Sequence, residues 1–282
     1  MTPMEKPISK KAIILGVITF LMLSIRLAHR LGSNDNAPIF QNNYASVGST
    51  ATKTFASVHY ADRTLPIRHI VVHSFALPVT EMVRRLNDLG VSTHYLIDTK
   101  GNVTNLIPED KVAWHAGKSF WRGQTGLNAT SVGIELQNDT LGQTPFPPEQ
   151  MAAFQILAKD LIYRYRIDPK NIVAHSDIAP ARKVDVGHAF PWSDMARVGI
   201  GLWPTDEKSD IKSKDVKALL EKIGYDTADV DKALLAFERR FMPDLIQTDN
   251  DISHLEENLA DVKPVFNDTV IRRLNQVAAL YR

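Results

Sequence analysis

The run I-R-H-I-V-V-H, residues 67–73, decides how this chain folds. Its β-branched residues lose side-chain freedom in a helix but pack well on a pleated surface, so it reads as a buried strand with His73 at its exit. A buried strand needs neighbours, and the sequence supplies them. Residues 132–136, V-G-I-E-L, read as a second buried strand whose apolar pattern is broken by Glu135. Residues 172–174 read as a short third that delivers His175. Residues 93–97 and 103–107, joined by Asp98-Thr99-Lys100-Gly101, carry a hairpin signal. Helical patterns lie between them. Thr80 can cap a helix with Met82, Val83, Leu86 and Leu89 on one face, ending at Gly90. Pro147 and Pro148 open a long helix to Tyr165, with Met151, Phe154, Leu157, Leu161 and Ile162 on its apolar stripe. Strands and helices interleave, yet the hairpin rules out a purely parallel sheet. The expected fold is α/β: a mixed central β-sheet flanked by helices.

Outward from this core the character of the chain changes twice. Lys6, Lys10 and Lys11 precede the apolar run 12–25, after which Arg26, His29 and Arg30 return. A basic lead into a short all-round apolar segment has the proportions of a secretory signal, cleaved or retained as a membrane anchor. Residues 1–30 are therefore expected to export the protein to the periplasm or cell envelope, and residues 31–57 to act as a flexible linker. The sheet domain is expected at 58–205. Beyond Trp203-Pro204 a solvated stretch leads into amphipathic helices at 215–223 and 227–241, separated by Gly224-Tyr225-Asp226, with a last helix at 268–281. Residues 206–282 are thus expected to form a small helical C-terminal domain, with an acidic, polar insert at 244–266. With 282 residues, 44% hydrophobic and 23% charged, the chain is an ordinary globular protein. A net charge of +1 with no basic stripe gives no reason to expect nucleic acid. Cysteine is absent, which excludes disulfides, thiolate metal ligands and a cysteine nucleophile.

The chemistry concentrates in residues 175–185, H-S-D-I-A-P-A-R-K-V-D. This segment packs an imidazole, two carboxylates, an arginine and a lysine around Pro180, which should keep it irregular. Alone it reads as a solvated loop with an incidental histidine. Its distant partners change that reading. His73 and His175 with one aspartate can hold Zn²⁺ at three corners of a tetrahedron, leaving the fourth for water. Glu135 beside that water, with a lysine to steady an oxyanion, would complete a hydrolase. His69 is the rival ligand, because residues four apart in a strand share a face. His94 reads as structural, and His115 as either a contact of the site or a packed loop residue. Asp177 reads as a partner of the loop backbone.

Six ordered motifs then carry a family resemblance: I-V-V-H, T-H-Y-L-I-D-x-x-G, A-W-H-A-G, W-R-G-x-T-G-L-N, S-V-G-I-E-L and H-S-D-I-A-P-A-R-K-V-D-x-G. Over roughly residues 60–204 the chain resembles the zinc-dependent N-acetylmuramoyl-L-alanine amidases of the AmpD/AmiD group. That group shares its fold with peptidoglycan recognition proteins and T7-type lysozyme. The N-terminal segment and the C-terminal region resemble the AmiD branch, and part of residues 234–243 resembles a helix of small peptidoglycan-binding domains.

Matched motif by motif, the resemblance implies His73, His175 and Asp185 as ligands of one Zn²⁺, Glu135 as catalytic glutamate and Lys183 as the lysine near the scissile carbonyl. It implies a peptidoglycan or muropeptide substrate, cleaved between N-acetylmuramic acid and L-alanine. His115, Trp121, Arg122, Asn128 and Arg182 are the residues expected to line a sugar-peptide groove, although a loop anchored by a buried tryptophan fits Trp121 equally. The chain departs from the family where relatives read D-P-G-P and it reads D-V-G-H. Losing both prolines should loosen the loop behind Asp185, and His188 would offer a competing ligand. The other reading is a wall-binding module that uses the same groove without hydrolysis. Such relatives commonly lack a metal ligand, whereas here all three candidates occur.

Overall fold

The computed structural model describes residues 59–205, 209–246 and 262–282. The expected export signal and linker, and most of the acidic insert, lie outside the described residues. Five strands form the central sheet: β2 (His69–Phe75), β3 (Tyr95–Ile97), β4 (Val103–Asn105), β8 (Ser131–Gln137) and β9 (Ile172–Ala174). Their order is β4-β3-β8-β2-β9, parallel throughout except for the antiparallel β3–β4 hairpin at one edge. Two small antiparallel pairs stand outside it, β1 (Tyr60–Asp62) with β5 (Lys111–Ala113) and β6 (Phe120–Trp121) with β7 (Gln124–Thr125). The mixed sheet follows the sequence reading. The central strand starts and ends two residues later than expected, so His73 lies within β2 rather than at its exit.

Alternation along the strands sorts their side chains onto two faces. Ile70 and Val72 of β2, with Val132, Ile134 and Leu136 of β8, point to one side. There they meet α2 (Pro148–Tyr165), whose Met151, Phe154, Leu157 and Leu161 are buried against them. Pro148 sits at the first turn of α2, where its missing N–H costs no hydrogen bond. Gln150 fastens this helix to the sheet by donating to Ile97 O and Gln137 O, both at 2.9 Å. Helix α1 (Val79–Asp88) buries Val83 and Leu86 in a smaller cluster with Phe75 and Leu96. Its N-cap is Pro78 rather than Thr80, and Leu89 is exposed at its end.

The opposite face carries Val71 and Val173, and the C-terminal helices cover its apolar part. These are α5 (Val216–Ile223), α6 (Val230–Phe241) and α7 (Asp268–Leu280), close to their expected limits, while α3 (His175–Ile178) and α4 (Trp192–Arg197) are single short turns. Leu220, Phe237, Phe241, Leu274 and Val277 share one buried cluster with Val71, Val173, Trp121, Leu127 and Ile178. The helical region is therefore a layer of the same body rather than a self-contained unit. Asp215, Asp229 and Asn267 cap the three helices through their side chains, each accepting from first-turn N–H groups.

A buried polar cluster ties that layer to α3. Asp177 accepts from Tyr225 Oη–H at 2.8 Å and from Ala174 N–H at 2.8 Å, and it is ion-paired with Arg240. Arg240 also donates to Ile172 O at 3.0 Å, and its guanidinium lies 3.8 Å from the Trp192 ring centre. Removing one partner of a buried ion pair strands the other charge, which typically costs about 3–5 kcal/mol. Arg240→Met should lower unfolding stability by about that amount in urea titrations, and adding Asp177→Asn should return part of the loss.

Glu238 on α6 gives a pH signature. Burial pushes its carboxyl up to about 7, against the opposing Val265 N–H bond and Arg239. A folded value above the unfolded one near 4.5 means that the folded chain binds the proton more tightly. Its contribution to stability is full below about 4.5 and lost as pH rises through 7. Glu238→Gln should melt close to the parent at pH 4.5 and increasingly above it toward pH 8, as read by thermal unfolding across that range.

Candidate metal centre

Register assembles the site. β2 and β8 pair in parallel with His73 directly opposite Glu135. Both sit on the face away from α2, the side reserved for odd-numbered residues of the two strands. β9 pairs with the other edge of β2 and ends at Ala174, so His175, the first residue of α3, emerges beside His73. Asp185 returns to the same point through its backbone, with Ser176 N–H donating to Asp185 O at 2.7 Å. The expected irregular segment thus opens with one helical turn. Pro180 follows that turn, and the chain loops back.

His73 Nδ1 lies 3.0 Å from His175 Nδ1 and 3.2 Å from Asp185 Oδ2, and His175 Nδ1 lies 3.1 Å from that oxygen. All three residues are buried. A tetrahedral ion about 2.0 Å from each donor has corners about 3.3 Å apart, so this triangle is of the size a zinc site requires. Among the described residues it is the one cluster with three such donors within reach of each other. Glu135 stands alongside, with Oε1 4.0 Å from His73 Nδ1 and Oε2 buried without a hydrogen-bond partner. Two acidic groups therefore meet different fates. Burial acts to raise Asp185, but the adjacent His175 and His73 outweigh it and hold the carboxyl well below the usual range. Glu135 is pushed well above its ordinary value by burial and by the charge of Asp185, with Lys183 pulling the other way. Burial, helped by His175, brings His73 down to about 4.

The far nitrogens of both histidines are also engaged, and by one loop. His73 Nε2 lies 3.0 Å from His115 Nδ1, and His175 Nε2 lies 3.3 Å from Ala116 O. Asn128 fixes that loop by accepting from His115 N–H at 3.1 Å and Ala116 N–H at 2.7 Å. Arg182 clamps it from the other side, donating to Ala116 O and, at 2.9 Å, to Lys118 O. Burial lowers His115 well below its ordinary value, with His73, His94, His175 and Arg63 adding to the effect.

These placements redistribute the expected groove residues. Trp121 is fully buried in the cluster beneath the C-terminal helices, donating Nε1–H to Lys170 O at 3.0 Å and meeting Tyr225 edge-on at 5.2 Å. It anchors the loop and lines no groove. Arg122 reaches the same layer, accepting a left-handed backbone to donate its N–H to Gly224 O at 2.9 Å while its guanidinium lies over Tyr281. Asn128 and Arg182 serve the loop as described. His69 shares a face with His73 as parity demands, but four residues of strand put roughly 13 Å between them. Its ring is bound to Thr130 Oγ1 at 3.1 Å instead. His94 is structural, accepting from Gly133 N–H at 3.0 Å. His188 is not in the donor cluster.

The loop behind Asp185 is also braced without its prolines. Gly187 and Gly142, both at positive φ, lie so close that a side chain on either would strike the other's backbone, and Ala189 N–H donates to Gly142 O at 2.9 Å. Not foreseen from the sequence are the Ala116 carbonyl beside His175 and Ser131, whose Oγ lies 3.1 Å from His115 Nε2. Ser131 was legible there, two positions before Gly133 and four before Glu135 on the same face.

A mixed sheet that gathers two imidazoles and a carboxylate within reach of one another, beside a buried glutamate with one oxygen unpartnered, has the donor set of a candidate metal site next to a proton acceptor. A family model for N-acetylmuramoyl-L-alanine amidase matches residues 63–188. The amidase AmiD of Escherichia coli strain K12 is 37% identical over 66% of this chain and 78% of its own length. The 1,6-anhydro-N-acetylmuramyl-L-alanine amidase AmpD of Enterobacter cloacae is 44% identical over 37% of this chain and 55% of its own. Among solved structures, E. coli AmiD in complex with the substrate anhydro-N-acetylmuramic acid-L-Ala-D-γ-Glu-L-Lys superposes with a TM-score of 0.62 at 33% identity, covering 76% of this chain and 90% of that one. AmpDh3 of Pseudomonas aeruginosa in complex with anhydromuramic pentapeptide gives 0.59 at 29%, covering 73% and 94%. The chain belongs to the N-acetylmuramoyl-L-alanine amidase family, in its AmpD/AmiD group, and is an enzyme of that kind.

Gly133 tests the packing of the site. A Cβ there would stand 2.5 Å from His115 Cγ. Gly133→Ala should lower stability by about 1–3 kcal/mol through overpacking, measurable by thermal unfolding of the metal-free protein.

Proposed function

We propose that this amidase is a zinc enzyme that hydrolyses the amide joining N-acetylmuramic acid, or its anhydro form, to the L-alanine of a peptidoglycan stem peptide. The observation that carries this reading is the triangle of His73, His175 and Asp185 donors with Glu135 Oε2 unpartnered beside it. Those three residues would hold the ion. When bound, zinc would supply Lewis acidity and lower the pKa of a water held there toward roughly 7. Glu135 accepts the proton of the attacking water and returns it to the nitrogen of L-alanine as the C–N bond breaks. The products are the lactyl carboxylic acid and a free amine. Lys183, close enough to act electrostatically on both Glu135 and His73, offsets charge growing on the carbonyl oxygen. One donor of that kind is typically worth about 3 kcal/mol. Burial gives Glu135 the basicity to take a proton, and Lys183 keeps that rise in check.

The muropeptides bound to AmiD and AmpDh3 support soluble anhydro-muropeptides as substrates. The lysine-flanked apolar run at 12–25 supports export to the periplasm or envelope, either anchored or released.

Incubating the protein with anhydro-muropeptides and with polymeric wall, followed by mass spectrometry, should give free stem peptide beginning at L-alanine. Stripping zinc with a chelator should abolish the product, and undiminished turnover after verified metal removal would refute the mechanism. Glu135→Gln should retain the metal but lose about 10²–10⁴-fold in turnover.

A further inference from the structure

We propose that His115 is a positioning residue that holds His73 in the tautomer offering Nδ1 to the metal, through a one-directional hydrogen-bond chain ending on the Leu127 carbonyl. The inference rests on the zinc reading above and says how that site keeps its geometry. A ligating nitrogen carries no proton, so a neutral His73 must carry its proton on Nε2. That atom is 3.0 Å from His115 Nδ1, which must then accept. The proton of His115 accordingly sits on Nε2, 3.1 Å from Ser131 Oγ. Ser131, itself fully buried, donates onward to Leu127 O at 2.7 Å.

The last link sets the direction. A carbonyl can only accept, so Ser131 must spend its proton there and present a lone pair to His115. Were the chain reversed, Ser131 Oγ and Leu127 O would face each other at 2.7 Å with no proton between them. His73 Nδ1 would then be protonated and pointed at the other two ligands. The polarity of one backbone carbonyl thus reaches the metal through three side chains.

The ring of His115 is held for this task on every side. It packs against Gly133, where a Cβ would stand 2.5 Å from its Cγ. Its edge contacts with His73 and His94 have ring centres 5.1 and 5.7 Å apart. Its own backbone N–H, with that of Ala116, is bound by Asn128. The same loop supplies Ala116 O to His175 Nε2, so both imidazole ligands are oriented from residues 115–116.

The test measures zinc affinity by competition with a chromophoric chelator for the parent, His115→Leu, His115→Asn and Ser131→Ala, alongside melting of each metal-free protein. His115→Leu keeps bulk but not the acceptor and should bind zinc about 10–100-fold more weakly. His115→Asn carries an acceptor oxygen at the same branch position as Nδ1 and should restore affinity to within about threefold of the parent, even if both variants melt alike. Ser131→Ala, which removes the link to the carbonyl, should weaken zinc by several-fold. Unchanged affinity in His115→Leu, or equal loss in the leucine and asparagine variants, would overturn the proposal in favour of loop packing. If His115→Leu fails to fold, unchanged affinity in Ser131→Ala overturns it. A parent protein that binds no zinc would instead refute the metal reading itself.

Discussion

The pairing of β2 with β8 is the constraint on which the rest of this molecule depends. Side chains alternate along each strand, so one register sorts Ile70, Val72, Val132, Ile134 and Leu136 onto the face of the apolar core. The same register sets His73 and Glu135 side by side on the other. A slip of one residue would bury the ionisable groups among aliphatic chains and turn the valines toward the cluster of His73, His175 and Asp185. Fold stability and site geometry therefore share one source. His73 and Glu135 stand on the strands most deeply fixed in the sheet.

Around that pair the protein arranges charge by contrast. Two carboxylates lie within a few ångströms of His73, yet one is held ionised by its imidazole neighbours while the other is kept basic by burial. The proposed metal ligand and proton acceptor need these opposite properties, and the difference follows from where each side chain enters. Asp185 arrives between the two histidines. Glu135 rises from the strand floor with one oxygen unclaimed. The W-H-A-G loop then orients both histidines from behind, leaving their Nδ1 atoms turned to a common point.

Much of this was legible in the sequence because it rests on local pattern. The strand at 172–174, the long helix from Pro148 and the three C-terminal helices declare themselves through periodicity, caps and proline placement. The motifs likewise named the three donors and Glu135, whose charge interrupts an apolar run. What stayed hidden depends on partners distant in the chain. Trp121 has the aromatic, glycine-rich setting of a binding loop, and only the packing of Tyr225 and Tyr281 against it reveals an anchor. Asn128 and Arg182 look like ligand-reading residues, and only the packed chain shows that they also hold backbone groups of the neighbouring loop. The missing prolines behind Asp185 suggest slack, and only the folded chain shows the backbones of Gly142 and Gly187 packed against each other there.

The buried charge pair between Asp177 and Arg240 has a bearing on how this architecture can be reused. Asp177 stands two positions after His175, and its counter-ion belongs to the last third of the chain. A shortened version ending near residue 205 would leave that anion without a counter-charge and uncover the rings around Trp121. Anyone transplanting the reaction centre into another scaffold, or trimming it for production, would have to carry the helical layer along or redesign the floor beneath His175.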